Sequence, residues 1–99
     1  MKPDLNPSKR KKAKRLAHHL EPVVTVGRQG LTESVIKKTD ESLLAHELVK
    51  VKFNSHKDEK RMLIQSLAEF TESIVVDLIG NVGILYRLHP DIKLRKISL

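Results

Sequence analysis

Two stretches of the chain each pass directly from a strand pattern to a helical one. The first begins with the β-branched run Val23-Val24-Thr25-Val26, which is typical of a buried strand. Thr32 and Glu33 then suit the N-cap and first turn of a helix over residues 33–45. The second stretch alternates over residues 48–53 and precedes another helix. Such strand-helix-strand passages predict an α/β fold, with right-handed crossovers where they join parallel strands.

The rest of the chain adds a helix before these units and a hairpin after them. The first helix is predicted over residues 8–20, capped by Asn6 or Ser8, with four apolar residues on its inner face: Ala13, Leu16, Ala17 and Leu20. Strands at 74–79 and 82–87 are separated only by Gly80-Asn81, the residue types of a tight hairpin. We therefore predict one compact domain in the order α-β-α-β-α-β-β, with a four-stranded mixed sheet and three helices.

Apolar spacing also predicts which side chains form the core. The strand at 48–53 places Val49, Val51 and Phe53 on one face, and leaves Leu48, Lys50 and Lys52 on a face partly open to solvent. The second helix has four inner residues: Val35, Ile36, Thr39 and Leu43. The third helix is expected to begin at Ser55, with inner residues Leu63, Ile64, Leu67 and Phe70. We expect residues 1–7 to be flexible, residues 8–88 to form the domain, and residues 89–99 to form a tail.

Charge and composition restrict the classes of function. The chain has 99 residues and a formal net charge of +7, which favours a polyanionic partner such as nucleic acid. It has no cysteine, so disulfides, thiolate zinc sites and thiol catalysis are excluded. No apolar run is long enough to span a bilayer, and the N-terminus lacks the pattern of a signal peptide. We expect a cytoplasmic protein that needs no cofactor.

The most informative motif is the loop Gly27-Arg28-Gln29-Gly30 between a strand and a helix. Two glycines let the backbone turn sharply and let a phosphate approach it closely. The following helix N-terminus and the Arg28 guanidinium both favour phosphate oxygens. GxxG loops of KH domains hold a nucleic-acid backbone in this way. The alternative is a tight strand-to-helix connection with no ligand.

The first helix carries a dense basic run, with seven Lys and Arg residues within the first fifteen positions. RNA would relieve the mutual repulsion of these charges, although a solvated helix face is the ordinary alternative. The apolar face is too narrow and too poor in aromatic anchors for a membrane surface. With the four residues of the glycine loop, we predict these RNA-binding residues: Lys11, Lys12, Lys14, Arg15, His18, Lys50 and Lys52.

No set of residues indicates catalysis. The five histidines lack metal-ligand spacing, and the acidic residues, apart from Asp77, lie in polar surroundings. Asp77 interrupts an apolar strand, and we expect it to be hydrogen bonded at a strand edge rather than to act as an acid. The aromatic residues Phe53, Phe70 and Tyr86 are too few for a base-stacking platform. We expect no enzyme activity and no metal site.

Several motifs along the chain together resemble the CRM domain family (chloroplast RNA splicing and ribosome maturation), and especially its bacterial stand-alone YhbY-like members. They are Leu16-Ala17-His18, Pro22-Val23-Val24, residues 26–32, His46-Glu47-Leu48 with residues 49–52, Ile79-Gly80 and Leu85-Tyr86-Arg87. The resemblance implies a fold similar to the C-terminal domain of translation initiation factor three and a glycine loop that contacts RNA. It also implies association with precursors of the large ribosomal subunit.

The leading hypothesis is therefore a monomeric RNA-binding assembly factor that binds ribosomal RNA and performs no chemistry. It uses neither a membrane nor a small-molecule substrate. The alternative is a protein-interaction module whose basic helix docks on an acidic partner. The two differ in salt dependence, because RNA affinity falls steeply as salt displaces the protein from phosphates.

Overall fold

The structure, a computed structural model, describes residues 5–99, which form two short 3-10 turns and seven longer elements. The longer elements are helix α1 (Pro7–Ala17), strand β1 (Pro22–Val26), helix α2 (Glu33–His46), strand β2 (Leu48–Phe53), helix α3 (Lys60–Phe70), strand β3 (Ile74–Ile79) and strand β4 (Val82–Tyr86). Asn6 caps α1 through its side-chain oxygen, which lies 2.8 Å from the amide nitrogen of Lys9. The predicted order of elements is confirmed; the predicted flexible N-terminus falls largely on residues 1–4, outside the described residues.

The four strands form one mixed sheet in the order β1-β2-β4-β3. Strands β1 and β2 are parallel, and β4 is antiparallel to both β2 and β3. The carboxyl ends of β1, β2 and β3 therefore lie at one edge of the sheet. The hairpin is confirmed, with Ile79 opposite Val82. The predicted four-stranded mixed sheet with three helices is confirmed as well.

Each face of the sheet has its own core. The larger core lies under α2 and α3 and contains the predicted strand residues Val49, Val51 and Phe53. The smaller core lies under α1, and it buries Leu48, which was predicted on the open face. Each large apolar side chain buried in this way stabilises the fold by about 1.5–3 kcal/mol. In α2, Leu43 is fully buried, as predicted.

Helix α1 is shorter than predicted, and its buried face differs. It ends at Ala17 instead of residue 20. Leu16 and Leu20, predicted to face inward, are 42% and 38% exposed, whereas Ala13 and Ala17 are buried. Proline disfavours helical conformation in the residue before it, so Pro22 keeps the helix from continuing beyond residue 20, and the chain turns toward β1 over residues 18–21.

Contacts of Arg10 explain the orientation of α1. Its Nη1 atom lies 2.7 Å from the carbonyl oxygens of both Val75 and Val76. The pairing register of β3 shifts between Val75 and Asp77, which disrupts the regular ladder at this point. Buried carbonyl groups need hydrogen-bond donors. Arg10 supplies them, so the side of α1 that carries Arg10, rather than the two leucines, faces the sheet.

The end of α3 also departs from the prediction. Phe70, predicted in the core, is 64% exposed, whereas Thr71 is 2% exposed. The buried face continues from Leu67 to Thr71, four residues on, instead of to Phe70. The Thr71 hydroxyl donates to the carbonyl of Leu67 at 2.8 Å, so this polar side chain is satisfied where it is buried.

The C-terminal residues 89–99 are attached to the domain by the carboxylate of Glu47. Glu47 follows α2 in a left-handed conformation with φ of 65° and is 1% exposed. Its Oε2 accepts the N–H of His89 at 2.8 Å, and its Oε1 accepts the N–H groups of Lys96 and Ile97 at 2.5 and 3.0 Å. The segment therefore takes a defined path although most of it lacks regular secondary structure.

Glu47→Gln should destabilise the protein in a pH-dependent way. Burial alone would raise the pKa of Glu47, but the three backbone hydrogen bonds outweigh it and lower the pKa. The carboxylate therefore contributes stability above its unfolded-state pKa, and this contribution is lost as the pH falls through the folded-state pKa. The variant turns an amide N–H2 toward a backbone donor, so we expect the free energy of unfolding to fall by about 1–3 kcal/mol near neutral pH.

Urea unfolding near neutral pH and at about pH 3 measures this effect. The difference between Glu47→Gln and the wild type should shrink at the lower pH. Glu69→Gln, at an exposed position of α3, is the matched control and should change stability little. An equal loss from Glu47→Gln at both pH values would contradict a structural role for the charged carboxylate.

Gly83→Ala should also destabilise the fold, because α3 approaches the sheet closely at Gly83. A Cβ atom there would lie 2.6 Å from Cδ1 and 2.7 Å from Cγ1 of Ile64. Overpacking of this kind costs about 1–3 kcal/mol. Ile64→Val should relieve part of the penalty in a double-mutant cycle measured by urea unfolding. At Gly27, an added Cβ meets nothing within 4 Å, so an equal loss for Gly27→Ala would refute the explanation.

Candidate nucleic-acid interface

The predicted loop of Gly27, Arg28, Gln29 and Gly30 is a tight turn between β1 and α2. The N–H of Gly30 donates to the carbonyl of Gly27 at 3.0 Å. Gly30 has a φ of 71°, which residues with a side chain rarely adopt. Arg28 and Gln29 at the centre of the turn are exposed. Thr32 then caps α2, as predicted, by accepting a backbone N–H at 3.1 Å.

His56, in the connection between β2 and α3, binds the glycine loop. Its Nε2 atom lies 2.7 Å from the carbonyl oxygen of Arg28. Since a carbonyl only accepts, Nε2 carries a hydrogen and donates it. His56 itself has a left-handed φ of 57° and precedes a 3-10 turn. Helix α3 therefore begins at Lys60, and the prediction that it begins at Ser55 was wrong.

Three connections meet at the edge of the sheet that carries the glycine loop. The N–H of Asn54 donates to the carbonyl of Val26 at 3.0 Å, and the N–H of Phe53 donates to the carbonyl of Asn81 at 2.8 Å. The Nζ atom of Lys60 donates to the side-chain oxygen of Asn81 at 3.0 Å. The glycine loop is thus part of a hydrogen-bonded edge, which limits the freedom of its backbone.

The predicted basic residues of α1 differ in their surroundings. Lys11, Lys12 and Arg15 are exposed, and so is His18, which follows the last helical residue. The Nζ atom of Lys14 lies 3.0 Å from the carboxylate of Asp77, and 45% of the Lys14 side chain is exposed. Lys14 is therefore partly neutralised, and Lys11, Lys12 and Arg15 carry more of the unbalanced positive charge.

Asp77 has the structural role predicted for it. It lies on β3, an edge strand of the sheet. Its carboxylate accepts a hydrogen bond from Lys14 and another from the N–H of Leu78 at 2.8 Å. The hydrogen bond from Lys14 lowers the pKa of Asp77, against the opposing effect of burial. Asp77 is therefore a charged strand-edge residue, not an acid with a raised pKa.

Lys50 and Lys52 lie on the sheet face that carries α1, and they differ. Lys50 is half-buried and donates through Nζ to the carbonyl of Leu20 at 2.9 Å. Lys52 is exposed, between Thr25 of β1 and Val82 of β4. Only Lys52 presents its side chain fully on the open part of the face, whereas Lys50 holds the chain between α1 and β1.

The structure brings part of the predicted set together. One groove between α1 and the sheet is lined by Lys14, His18 and Lys50. Lys52 lies further along β2, toward the edge with the glycine loop. Lys11 and Arg15 share the side of α1 that carries Lys14 and His18, because they are three or four residues apart. Lys12 is three residues before Arg15 and adjoins it on the outer surface of α1.

Sequence reasoning missed the partnership between His56 and the glycine loop. The sequence shows His56 only as one of five histidines that lack metal-ligand spacing, and no motif connects it with the glycine loop. One indirect signal was present: residues that follow two parallel strands meet at one edge of the sheet. That rule places the connection after β2 beside the loop after β1, but it does not select His56.

Residues 5–99 contain neither a metal-binding cluster nor a membrane-spanning helix. No His, Asp or Glu side chains there form a group of three that could ligate a metal ion. In the same part of the chain, no helix has both the length and the apolar character of a membrane span.

Comparison with known proteins identifies the family. Residues 5–87 match the CRS1 / YhbY (CRM) domain, so the chain belongs to this family and the predicted resemblance is confirmed. It is 37% identical over 87 residues to a probable RNA-binding protein of Pseudomonas aeruginosa, with 87% of this chain and 84% of that protein covered. It is 39% identical over 83 residues to an RNA-binding protein of Haemophilus influenzae, with 83% and 84% covered.

A solved structure has the same fold. The solution structure of a hypothetical protein of Staphylococcus aureus matches this chain with a TM-score of 0.78 at 30% sequence identity. The match covers 95% of this chain and 99% of that one. The elements around the glycine loop therefore belong to a fold that a related chain adopts in solution.

His56→Gly should loosen the glycine loop without breaking the sheet. Glycine keeps the left-handed φ at no steric cost while removing the hydrogen bond to Arg28, whose net value is about 0.5–1.5 kcal/mol. Hydrogen exchange followed by NMR should show faster exchange of the Gly30 amide. The amides of β4 report global stability in the same sample. If exchange of the Gly30 amide accelerates no more than exchange of the β4 amides, His56 does not hold the loop.

Proposed function

We propose that this protein binds RNA through the glycine loop and the basic side of α1, and acts as an assembly factor on precursors of the large ribosomal subunit. The observation that carries RNA binding is the loop itself, an exposed turn between two glycines with Arg28 at its centre. The names of the Pseudomonas and Haemophilus relatives support it. The assembly role rests on the resemblance to the YhbY-like members of the family.

The loop suits a sugar-phosphate backbone. No heavy atom lies within 4 Å of the position that a Cβ of Gly27 would occupy, so a phosphate has room to approach the backbone. The first turn of α2 adds N–H groups without intrahelical partners. The guanidinium of Arg28 offers two parallel donors to phosphate oxygens. Because His56 already holds the loop, binding costs less ordering entropy.

The second part of the interface is electrostatic. A formal net charge of +7 attracts a polyanion. The exposed cations Lys11, Lys12 and Arg15 would contribute most on α1, since Lys14 is paired with Asp77. Lys52 extends the same surface along β2. Phosphate contacts of this kind fix position and orientation but carry little sequence information.

Base stacking has a minor place in this proposal. Phe53 and Tyr86 are 0% and 7% exposed, so neither ring is available to a base, and a single exposed ring, Phe70 at the end of α3, does not form a stacking platform. RNA recognition would then depend on backbone and shape rather than on a stacking platform. The proposal also includes a cytoplasmic monomer that binds RNA without catalysis or a cofactor.

Arg28→Ala should weaken RNA binding by roughly 10- to 150-fold, because a charged hydrogen bond to phosphate contributes about 1.5–3 kcal/mol. The free energy of unfolding should change by less than about 0.5 kcal/mol, since the side chain is exposed. Fluorescence anisotropy with an in vitro large-subunit ribosomal RNA transcript measures the affinity. Lys38→Ala, which removes one exposed charge from α2, is the control. Equal effects of the two variants would remove the loop from the binding site.

The assembly role has its own measurement. A lysate of the native cells is fractionated on a sucrose gradient at low magnesium and moderate salt, and the protein is detected by blotting. It should sediment with large-subunit particles, and neutralising Lys11, Lys12 and Arg15 should move it to the top. If the wild-type protein stays at the top of the gradient while it still binds RNA in vitro, the ribosomal part of the proposal fails.

One observation favours a second candidate, the protein-interaction module. Leu16 and Leu20 are 42% and 38% exposed beside the basic residues of α1, as in a helix that docks on a partner with acidic and apolar groups. The two candidates separate at high salt. RNA complexes should dissociate as salt rises, whereas a complex that buries the leucines should persist.

A further inference from the structure

We infer that the docked C-terminal segment, residues 89–99, is a second RNA-contacting element that extends the basic surface of α1. This inference rests on the proposed RNA binding. The family match ends at residue 87, so the segment lies outside the part of the chain that the family defines. The structure gives this segment a defined path, and the sequence gives it the basic residues Lys93, Arg95 and Lys96.

The docking of the segment uses its backbone and leaves its basic side chains outward. The carboxylate of Glu47 accepts the N–H groups of His89, Lys96 and Ile97. The residue Lys96 nevertheless remains exposed, as does Lys93. A buried acid therefore orders the segment without neutralising the ammonium groups at the surface.

A local turn also fixes the middle of the segment. The Asp91 carboxylate accepts the N–H of Lys93 at 3.0 Å and caps the short 3-10 turn Ile92–Leu94. The Nε atom of Arg95 donates to the carbonyl of His89 at 2.9 Å. Lys93 and Lys96 thus project from an ordered backbone, so their charges have a defined place relative to the domain.

The segment lies against the first part of α1. Lys9 lines the same groove as Arg95 and Lys96. Ile97 packs against the smaller core, and so does Leu5, just before α1. Arg95 and Lys96 therefore adjoin the amino-terminal end of α1, and the groove of Lys14 and His18 adjoins its carboxyl-terminal end. Helix α1 is about 16 Å long. An RNA strand that runs along it would therefore reach both groups of residues.

The charge near the segment remains positive despite two acidic residues in the groove. Asp40 and Glu72 line the groove together with Lys9, Arg95 and Lys96. Asp40 is already paired with Arg87, whose Nη1 lies 2.6 Å from its carboxylate. A polyanion fits this balance better than an acidic protein does, because phosphates occur at every nucleotide and need only a line of cations.

The test compares two pairs of substitutions that remove the same charge. Lys93→Gln/Lys96→Gln changes the segment, and Lys37→Gln/Lys38→Gln changes exposed positions of α2. Binding to an in vitro large-subunit ribosomal RNA transcript is measured over a range of salt concentrations. The first pair should make the negative slope of log affinity against log salt shallower by roughly 1.4–1.8, as expected for the loss of two phosphate contacts, while the second should leave it nearly unchanged.

Docking is checked in the same variants, since it uses the Lys96 N–H and not its ammonium group. The amide signal of His89, which donates to the same carboxylate and is not adjacent to either substitution, should keep its position in Lys93→Gln/Lys96→Gln. Equal salt slopes for the two pairs would overturn the inference while leaving RNA binding by the glycine loop intact. Absence of RNA binding by the wild-type chain would instead overturn the proposed function together with the inference.

Discussion

The parallel pairing of β1 with β2 decides where the functional parts of the molecule meet. Parallel neighbours need a crossover, which α2 provides, and their carboxyl ends then lie at one edge of the sheet. The glycine loop after β1 consequently lies beside the connection after β2, where His56 reaches the carbonyl of Arg28. An antiparallel pairing would have put these two connections at opposite edges. The support of the loop is therefore a consequence of topology, not of the loop sequence.

The basic residues of this chain divide between structural and exposed roles. Arg10 donates to two carbonyls of β3, Lys50 donates to the carbonyl of Leu20, and Lys14 pairs with Asp77. These contacts hold α1 and the turn after it on the sheet, and those of Arg10 satisfy part-buried carbonyls of β3. Arg10 and Lys14 anchor α1 to the sheet, and the anchored helix holds its remaining cations in place. A basic surface thus supplies part of the stability of the element that displays it.

Glu47 shows how one buried charge organises a segment with little secondary structure. Removing a carboxylate from water is unfavourable, but three backbone N–H groups compensate and keep its pKa low. The same residue ends α2 in a left-handed conformation, and its backbone carbonyl accepts the N–H of Arg87. The end of α2, the end of β4 and the C-terminal segment are therefore joined at one residue. Loss of the charge would affect all three.

The sequence by itself determined the elements, their order, the hairpin and the position of the glycine loop, because these depend on local spacing and on residues close together in the chain. It did not determine which side of α1 is buried, since that depends on carbonyls of β3 more than 60 residues away. It placed Phe70 in the core where Thr71 lies, because i+3 and i+4 spacing are equally compatible with a helical pattern. It left residues 89–99 without structure and His56 without a partner. Only the tertiary structure decided these points, because hydrogen bonds between distant residues leave no periodic signal in the sequence.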